Sequence, residues 1–195
     1  MGHYIGLYQF GKEVMNRKNL SIYGTDRVCQ FFGRNEPWTS FINQGNFQMQ
    51  PIEPDRMIKL SENVSIKPLL VPHRGEYSDT VAYYVKGPNK TIFYCPDVDT
   101  WHKGWSIHIT DVINSVDRAF LDSTFFSGDE LPGRNINDVP HPTTVDTIKT
   151  LNGLENKVTL IHLNHTNPLY RDGKEREQCV KLGFDITQQG STWQL

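Results

Sequence analysis

The sequence has few cysteines, no excess of basic charge and no long apolar run. Its three cysteines are far apart in sequence and odd in number, which argues against a disulfide framework and against a CxxC zinc clip. The net charge of -2 provides no basic field for phosphate backbones, so nucleic acid is not indicated as a partner. No apolar stretch approaches the roughly 20 residues that span a bilayer, and no signal-peptide pattern opens the chain. We therefore expect a cytoplasmic protein that acts on a small-molecule substrate and does not enter a membrane.

The length of 195 residues, with 37% apolar and 11% aromatic residues, predicts one folded domain over residues 1–195. In the second half, apolar runs typical of strands alternate with helical patterns. The strands are "RAFLDST" and "KVTLIHL", and the helices are "TTVDTIKTL" and "GKEREQCVKLG", the last closed by Gly183. This alternation indicates the α/β class.

The first half is less regular. Residues 4–16 have near-helical apolar spacing, and "SIYG" predicts a strand that leads to a helix capped by Thr25. Three short extended segments follow between Phe47 and Leu70. The "TVAYYVKGPNKTIFYC" segment predicts a hairpin, because two strands flank a Gly-Pro-Asn turn.

Four of the predicted strands end in an acid or a histidine. These polar residues are His73, Asp97 with Asp99, Asp122, and His162 with His165. A carboxylate at the mouth of a buried strand needs a cation, a donor or a metal to offset its desolvation. Histidine nitrogen and aspartate oxygen are ligands of zinc, manganese and non-haem iron, so their convergence favours a metal site over unrelated structural roles.

The order of these motifs resembles the metallo-β-lactamase superfamily, in particular the subgroup of quinone-cofactor biosynthesis proteins and related metal-dependent hydrolases. Six segments carry the resemblance: "GHYIGLYQFG", "VPHRGEYSDTVAYYV", "IFYCPDVDTW", "FLDSTFF", "DVPHPT" and "LIHLNHTNP". The resemblance implies an αββα sandwich. It also implies a site for Zn²⁺, with Fe²⁺ or Mn²⁺ as alternatives.

Carried over residue by residue, the resemblance implies the metal ligands His3, His73, Asp97 and His165. Asp97 resembles the bridging carboxylate and is also the candidate catalytic residue that orients water. The "DSTFF" and "PHPT" segments resemble a ribonuclease Z pattern, which makes His141 the candidate proton donor. We expect His162 to support its strand from inside.

One departure from the family pattern is at the start of the sequence. The chain begins "MGH", so the first two histidines of the HxHxDH motif and the strands before it are absent, and Gly2 replaces the motif's Asp. The resemblance therefore implies an N-terminally incomplete domain, corresponding to the C-terminal two-thirds of the fold. An open sheet edge is compatible with a homodimer.

Three functions stay open at this point. The first is metal-dependent hydrolysis of an ester, phosphodiester or lactone. The second is an iron-dependent oxidase or hydroxylase related to quinone-cofactor biosynthesis. The third is a catalytically inactive truncated form that retains a partial metal site.

Overall fold

The computed structural model describes residues 3–133, 135 and 138–195, and the side chain of His3 lies outside this description. The chain divides into two compact units. Unit 1 comprises Met1–Arg56 and Gly75–Asp79, and unit 2 comprises Met57–Arg74 and Thr80–Leu195. A single domain over residues 1–195 stays a prediction. Among the described residues, no helix combines the length and apolar content that crossing a membrane requires.

Unit 1 contains a short parallel sheet and two helices around an aromatic cluster. Its elements are a 3-10 helix at His3–Phe10, strand β1 (Leu20–Gly24), helices α1 (Asp26–Arg34) and α2 (Trp38–Asn43), and strand β2 (Phe47–Pro51). Thr25 caps α1 as predicted, since its side chain accepts a hydrogen bond from the Val28 N–H. The buried cluster consists of Phe32, Trp38, Phe41 and Phe47.

The predicted helix over residues 4–16 is shorter and tighter than expected. The structure has a 3-10 helix that ends at Phe10, followed by turns. Gly11 lies against the Phe41 ring so closely that a Cβ atom would fall 2.4 Å from it. Glycine also carries a high entropic cost inside a helix, so Gly6 and Gly11 account for the early end of this element.

Unit 2 is built on a seven-stranded mixed sheet in the order β3-β4-β5-β6-β7-β8-β9. The strands are β3 (Ile58–Lys59), β4 (Ser65–Val71), β5 (Thr80–Lys86), β6 (Thr91–Cys95), β7 (Arg118–Asp122), β8 (Val158–Ile161) and β9 (Asp185–Ile186). The helices are α3 (Ile109–Asn114), α4 (Thr144–Thr150) and α5 (Lys174–Leu182). The predicted β5–β6 hairpin and the strand and helix alternation after it are present.

The directions of the strands decide where the polar ends lie. Strands β6, β7 and β8 are parallel, while β5 is antiparallel to both β4 and β6. Strand β4 therefore runs in the same direction as β6, β7 and β8. The carboxyl ends of these four strands lie along one edge of the sheet, which is where ligands bind in many α/β proteins. Apolar burial in the strands, including Phe93, Leu121 and Leu160, holds this edge in place.

Candidate metal centre

The candidate site lies at this edge of unit 2. His73 follows β4, Asp97 follows β6, Asp122 is the last residue of β7, and His162 comes directly after β8. His141 arrives from the loop before α4. A parallel bridge between Phe125 and Thr143 holds that loop beside the segment that follows β7. Residues far apart in sequence thus meet because four strands end together.

Asp122 is the most deeply buried member, with a side chain that is 0% exposed. Its Oδ1 accepts hydrogen bonds from the Thr124 N–H at 2.9 Å and the Thr124 hydroxyl at 2.7 Å. Its Oδ2 accepts from the Val98 N–H at 3.1 Å and lies 2.7 Å from His141 Nδ1. A carboxylate has about four acceptor positions, and these four donors use them. Asp122 therefore acts as the internal anchor of the site.

His141 is held by this anchor. Its Nδ1–H donates to Asp122, and the same nitrogen lies 3.7 Å from Asp97 Oδ1. Burial by itself lowers the pKa of His141, but the hydrogen bond to Asp122 and the charges of Asp122, Asp97 and Asp99 outweigh burial and raise the pKa. The imidazolium form is thereby favoured, which suits a proton donor.

His162 occupies an uncommon backbone conformation, with φ at 61°. A positive φ is rare for residues other than glycine, although His is among the types enriched there. The His162 Nδ1 lies 2.8 Å from the Thr124 hydroxyl oxygen. Because that hydroxyl gives its single proton to Asp122, the Nδ1–H of His162 is the donor in this contact. The lone pair of neutral His162 is then on Nε2, where a metal ligand needs it.

His73 lies between two carboxylates. Its Nδ1 is 2.8 Å from Asp99 Oδ1, and its Nε2 is 3.1 Å from Asp97 Oδ1. A proton on Nδ1 satisfies the contact with Asp99 and makes Nε2 of the neutral ring an acceptor. In that form Nε2 and the Asp97 oxygen both offer lone pairs 3.1 Å apart, so a cation, either a proton or a metal ion, can be shared between them. A histidine held by a carboxylate on one nitrogen is the usual arrangement of a metal ligand.

Several possible ligands of a divalent metal lie close together here, although Asp122 and His141 are already hydrogen-bonded to each other. Asp97, Asp122, His141 and His162 each offer one ligand atom, and these atoms lie within 4.8 Å of one another. Two ligands of one tetrahedral zinc ion are separated by about 3.3 Å, given bonds of about 2.0–2.1 Å. The 3.1 Å between His73 and Asp97 matches this spacing. Buried Cys95 is not a thiolate, because burial first and then the charges of Asp122 and Asp97 raise its pKa well above the usual range.

Three residues predicted from the sequence meet in this site: His73, Asp97 and His141. His165 does not join the four-residue group, and its side chain is exposed in the loop after β8. The fourth predicted ligand, His3, lies outside the described side chains. The candidate ligand after β8 is therefore His162 and not His165.

The sequence pattern predicts no ligand or anchoring role for two residues of the site. It identifies Asp122 only as a polar strand end, and it predicts that His162 supports its strand from inside. Their signal in the sequence is position: each lies at the very end of an apolar run, whereas His165 comes three residues later. The left-handed backbone at His162 has no signature in the sequence.

Comparison with known proteins points to one family. A family model described as the beta-lactamase superfamily domain matches residues 3–191. The coenzyme PQQ synthesis protein B of Rhizobium meliloti (strain 1021) is 28% identical over 126 residues, covering 59% of this chain and 40% of that protein. The protein of the same name from Acinetobacter baumannii (strain ACICU) is 24% identical over 196 residues, covering 85% of this chain and 63% of that protein.

The solved structures include a similar fold. Zn(2+)-bound PqqB from Methylobacterium extorquens superposes with a TM-score of 0.71 at 18% identity, covering 91% of this chain and 63% of that one. The predicted fold class, α/β of the metallo-β-lactamase type, is thereby confirmed. The chain spans 40% to 63% of the length of the curated relatives given above.

Proposed function

Because this chain belongs to the beta-lactamase superfamily, we propose that it is a metal-dependent hydrolase acting on an ester, phosphodiester or lactone. The observation that carries the proposal is the contact between His73 Nε2 and Asp97 Oδ1 at 3.1 Å, where Asp97 also belongs to a group of four possible ligands with Asp122, His141 and His162. Nε2 of neutral His73 and the carboxylate oxygen both offer lone pairs, so this pair is built to share a cation.

In this proposal His73, Asp97 and His162 hold the metal ion, with zinc as the first candidate. A bound divalent ion would supply Lewis acidity and lower the pKa of water at the site. Asp99 and Thr124 fix the tautomers of His73 and His162 through their contacts with Nδ1. The side chains of His73, Asp97 and His162 are 14%, 15% and 28% exposed, so substrate reaches them from solvent.

The chain's own residues supply orientation and a proton. Asp97 accepts a hydrogen bond from the attacking water and directs it at the electrophilic carbon or phosphorus. His141, kept in its imidazolium form by Asp122, donates the proton on Nε2 to the leaving oxygen. Three histidines and two aspartates thus have separate roles in metal binding and proton transfer.

The experiment compares leaving groups. Zinc-loaded protein is assayed with p-nitrophenyl butyrate and with ethyl butyrate, for the natural chain and for His141→Gln. Nitrophenolate leaves without protonation, whereas an alkoxide needs a proton donor. We expect the substitution to slow ethyl ester hydrolysis by about 10²-fold or more, and the nitrophenyl ester by less than about tenfold.

The same assay with bis(p-nitrophenyl) phosphate and γ-butyrolactone covers the other two substrate classes. Metal content per chain, measured by elemental analysis without chelator, accompanies every sample. A folded chain that binds zinc but hydrolyses none of these compounds above the rate of free zinc contradicts the proposed reaction. A folded chain without metal favours the inactive alternative.

A second function has one specific observation in its favour. Two imidazoles and one carboxylate are also the ligand set of non-haem iron(II) enzymes that activate oxygen. We therefore propose iron-dependent oxidation as the alternative. Oxygen consumption by iron-reconstituted protein, absent with zinc, distinguishes it from hydrolysis.

Cytoplasmic location, a small-molecule substrate and a homodimer remain part of the proposal. Sedimentation velocity over a range of concentrations measures the oligomeric state directly.

A further inference from the structure

A cavity of about 480 Å³ opens beside the candidate metal centre. Thr124 and His162 form part of its wall, so the cavity starts where the proposed ligands end. Volumes of about 300–1,000 Å³ are typical of small-molecule sites. A substrate whose reacting bond lies near His162 therefore has room for the rest of its body here.

The rest of the wall combines apolar surface with uncharged polar groups. The polar groups are amides and hydroxyls of Asn164, Tyr170, Thr187, Gln188 and Gln189, and Leu163 adds an apolar contact. Within the described part of the chain, the lining contains no lysine, arginine, aspartate or glutamate. Side-chain amides donate and accept hydrogen bonds equally well, so they match a ligand that also does both. An anion gains no charge partner from such a wall.

One cation lies close by, and it is already engaged. Arg176 lines a neighbouring cavity of about 340 Å³ that shares Tyr170, Gln188 and Gln189 with the first. Its guanidinium donates to the Leu169 carbonyl oxygen at 2.6 Å and lies 4.0 Å from Asp172. The positive charge of Arg176 is therefore directed toward its own surroundings.

We propose that the cavity lined by Asn164, Gln188 and Gln189 binds the non-reacting part of the substrate, an uncharged group that also forms hydrogen bonds. This inference rests on the proposed function, because it places that group beside His162. It narrows the substrate from three classes to those with a neutral body: carboxylic esters and lactones ahead of compounds that carry a second anionic group.

The test uses benzamide and benzoate, which have the same ring and nearly the same shape but differ in charge. The full chain is labelled with ¹⁵N, and the side-chain NH₂ resonances of Asn164, Gln188 and Gln189 are followed during titration, first without metal and then with one equivalent of zinc. We expect benzamide to shift these resonances in both samples, and benzoate to leave them in place in the metal-free sample, which is the one that tests the wall because a carboxylate can bind zinc directly. Gln188→Ala is expected to weaken benzamide binding by about fivefold, the effect of one hydrogen bond.

Gln178→Ala is the matched control, because Gln178 is an exposed glutamine of α5 outside both cavities. Benzoate binding at these amides as tightly as benzamide overturns the assignment of an uncharged ligand. No shift with either compound overturns the cavity as a binding site. Neither result depends on hydrolysis, so failure of the inference and failure of the proposed reaction are separate outcomes.

Discussion

Unit 1 and unit 2 each contain rings with similar centroid distances, but different interactions fix the positions of those rings. In unit 1, the ring centroids of Phe32 and Trp38 are 4.9 Å apart. In unit 2, the His73 and His141 centroids are 5.7 Å apart, and those of His141 and His162 are 5.8 Å apart. The apolar rings pack against one another, whereas each imidazole has its Nδ1 held by an oxygen of Asp99, Asp122 or Thr124.

The apolar rings of unit 1 and the imidazole rings of unit 2 therefore have different roles: the first stabilise the fold, and the second serve the chemistry of the site. An apolar ring contributes by burial and contact, and its exact rotation matters little to anything beyond its neighbours. An imidazole with one nitrogen fixed by a hydrogen bond has the other nitrogen defined in direction and protonation. Unit 1 therefore uses aromatic rings to build a core, and unit 2 uses imidazole rings to present ligand atoms.

The largest effect is expected from removing a packed ring. Phe32→Ala deletes a side chain that is 1% exposed and should destabilise unit 1 by about 3–5 kcal/mol, because a cavity replaces its contacts. Zinc affinity should change by less than about twofold, since none of the proposed ligands His73, Asp97 and His162 belongs to unit 1. Urea unfolding and zinc titration measure the two quantities.

Phe93→Ala is the matched substitution in unit 2, where Phe93 is 0% exposed. It loosens β6, the strand that leads to Asp97, so both stability and zinc affinity should fall. Equal losses of zinc affinity in the Phe32 and Phe93 variants would contradict the conclusion that the apolar core of unit 1 does not affect the metal site.

The second prediction concerns the two histidines after β8. His162→Ala removes a proposed ligand, so zinc affinity should fall by more than about 100-fold, beyond the range typical of supporting residues. His165→Ala should leave zinc affinity within about twofold, because His165 is exposed and outside the candidate group. Competition titration against a chromophoric chelator measures both. The reverse ranking would restore the ligand predicted from the sequence.

His162 and His165 also show which features of the structure can be predicted from the sequence and which cannot. The strands, the β5–β6 hairpin and the Thr25 cap were predictable, because apolar period and turn residues are local signals. The convergence of acids and histidines was also predictable, because these residues lie at the ends of the predicted strands. The choice between His162 and His165 depends on where β8 stops and on a left-handed backbone, which are set by tertiary contacts.

Thr124 was not predictable for a similar reason. A threonine after a strand is common, and nothing in its type indicates contacts with Asp122, His141 and His162 together. The early end of the first helix likewise depends on Gly11 meeting Phe41, a contact between residues 30 positions apart. Local pattern thus identifies the elements, and long-range contacts select the residues that act.

The third prediction tests whether Thr124 fixes the His162 tautomer. Thr124→Val keeps the shape of a side chain that is 7% exposed but removes the hydroxyl that accepts the His162 Nδ1–H. Zinc affinity should fall by about tenfold, as for other residues that orient a metal ligand. Thr124→Ser keeps the hydroxyl and should restore most of the affinity. A valine variant with the zinc affinity of the natural chain would show that shape, and not the hydroxyl, matters at this position.

The smallest effect is a pH dependence in the metal-free chain. Burial lowers the pKa of His141, but the hydrogen bond and charge of Asp122, with the charges of Asp97 and Asp99, outweigh burial and raise the pKa in the folded state above the ordinary value of about 6.5.

A group with a raised folded pKa contributes stability that is fully present below the unfolded pKa and is lost as pH rises through the folded pKa. The free energy of unfolding of the natural chain, relative to His141→Gln, should therefore decline as pH rises above about 6.5, because glutamine does not titrate. Urea unfolding of both proteins at pH values below and above this point, in the presence of chelator, measures the difference. A difference that is flat or rises with pH would mean that the imidazolium of His141 gains nothing from Asp122, and the proposed proton donor would lose its support.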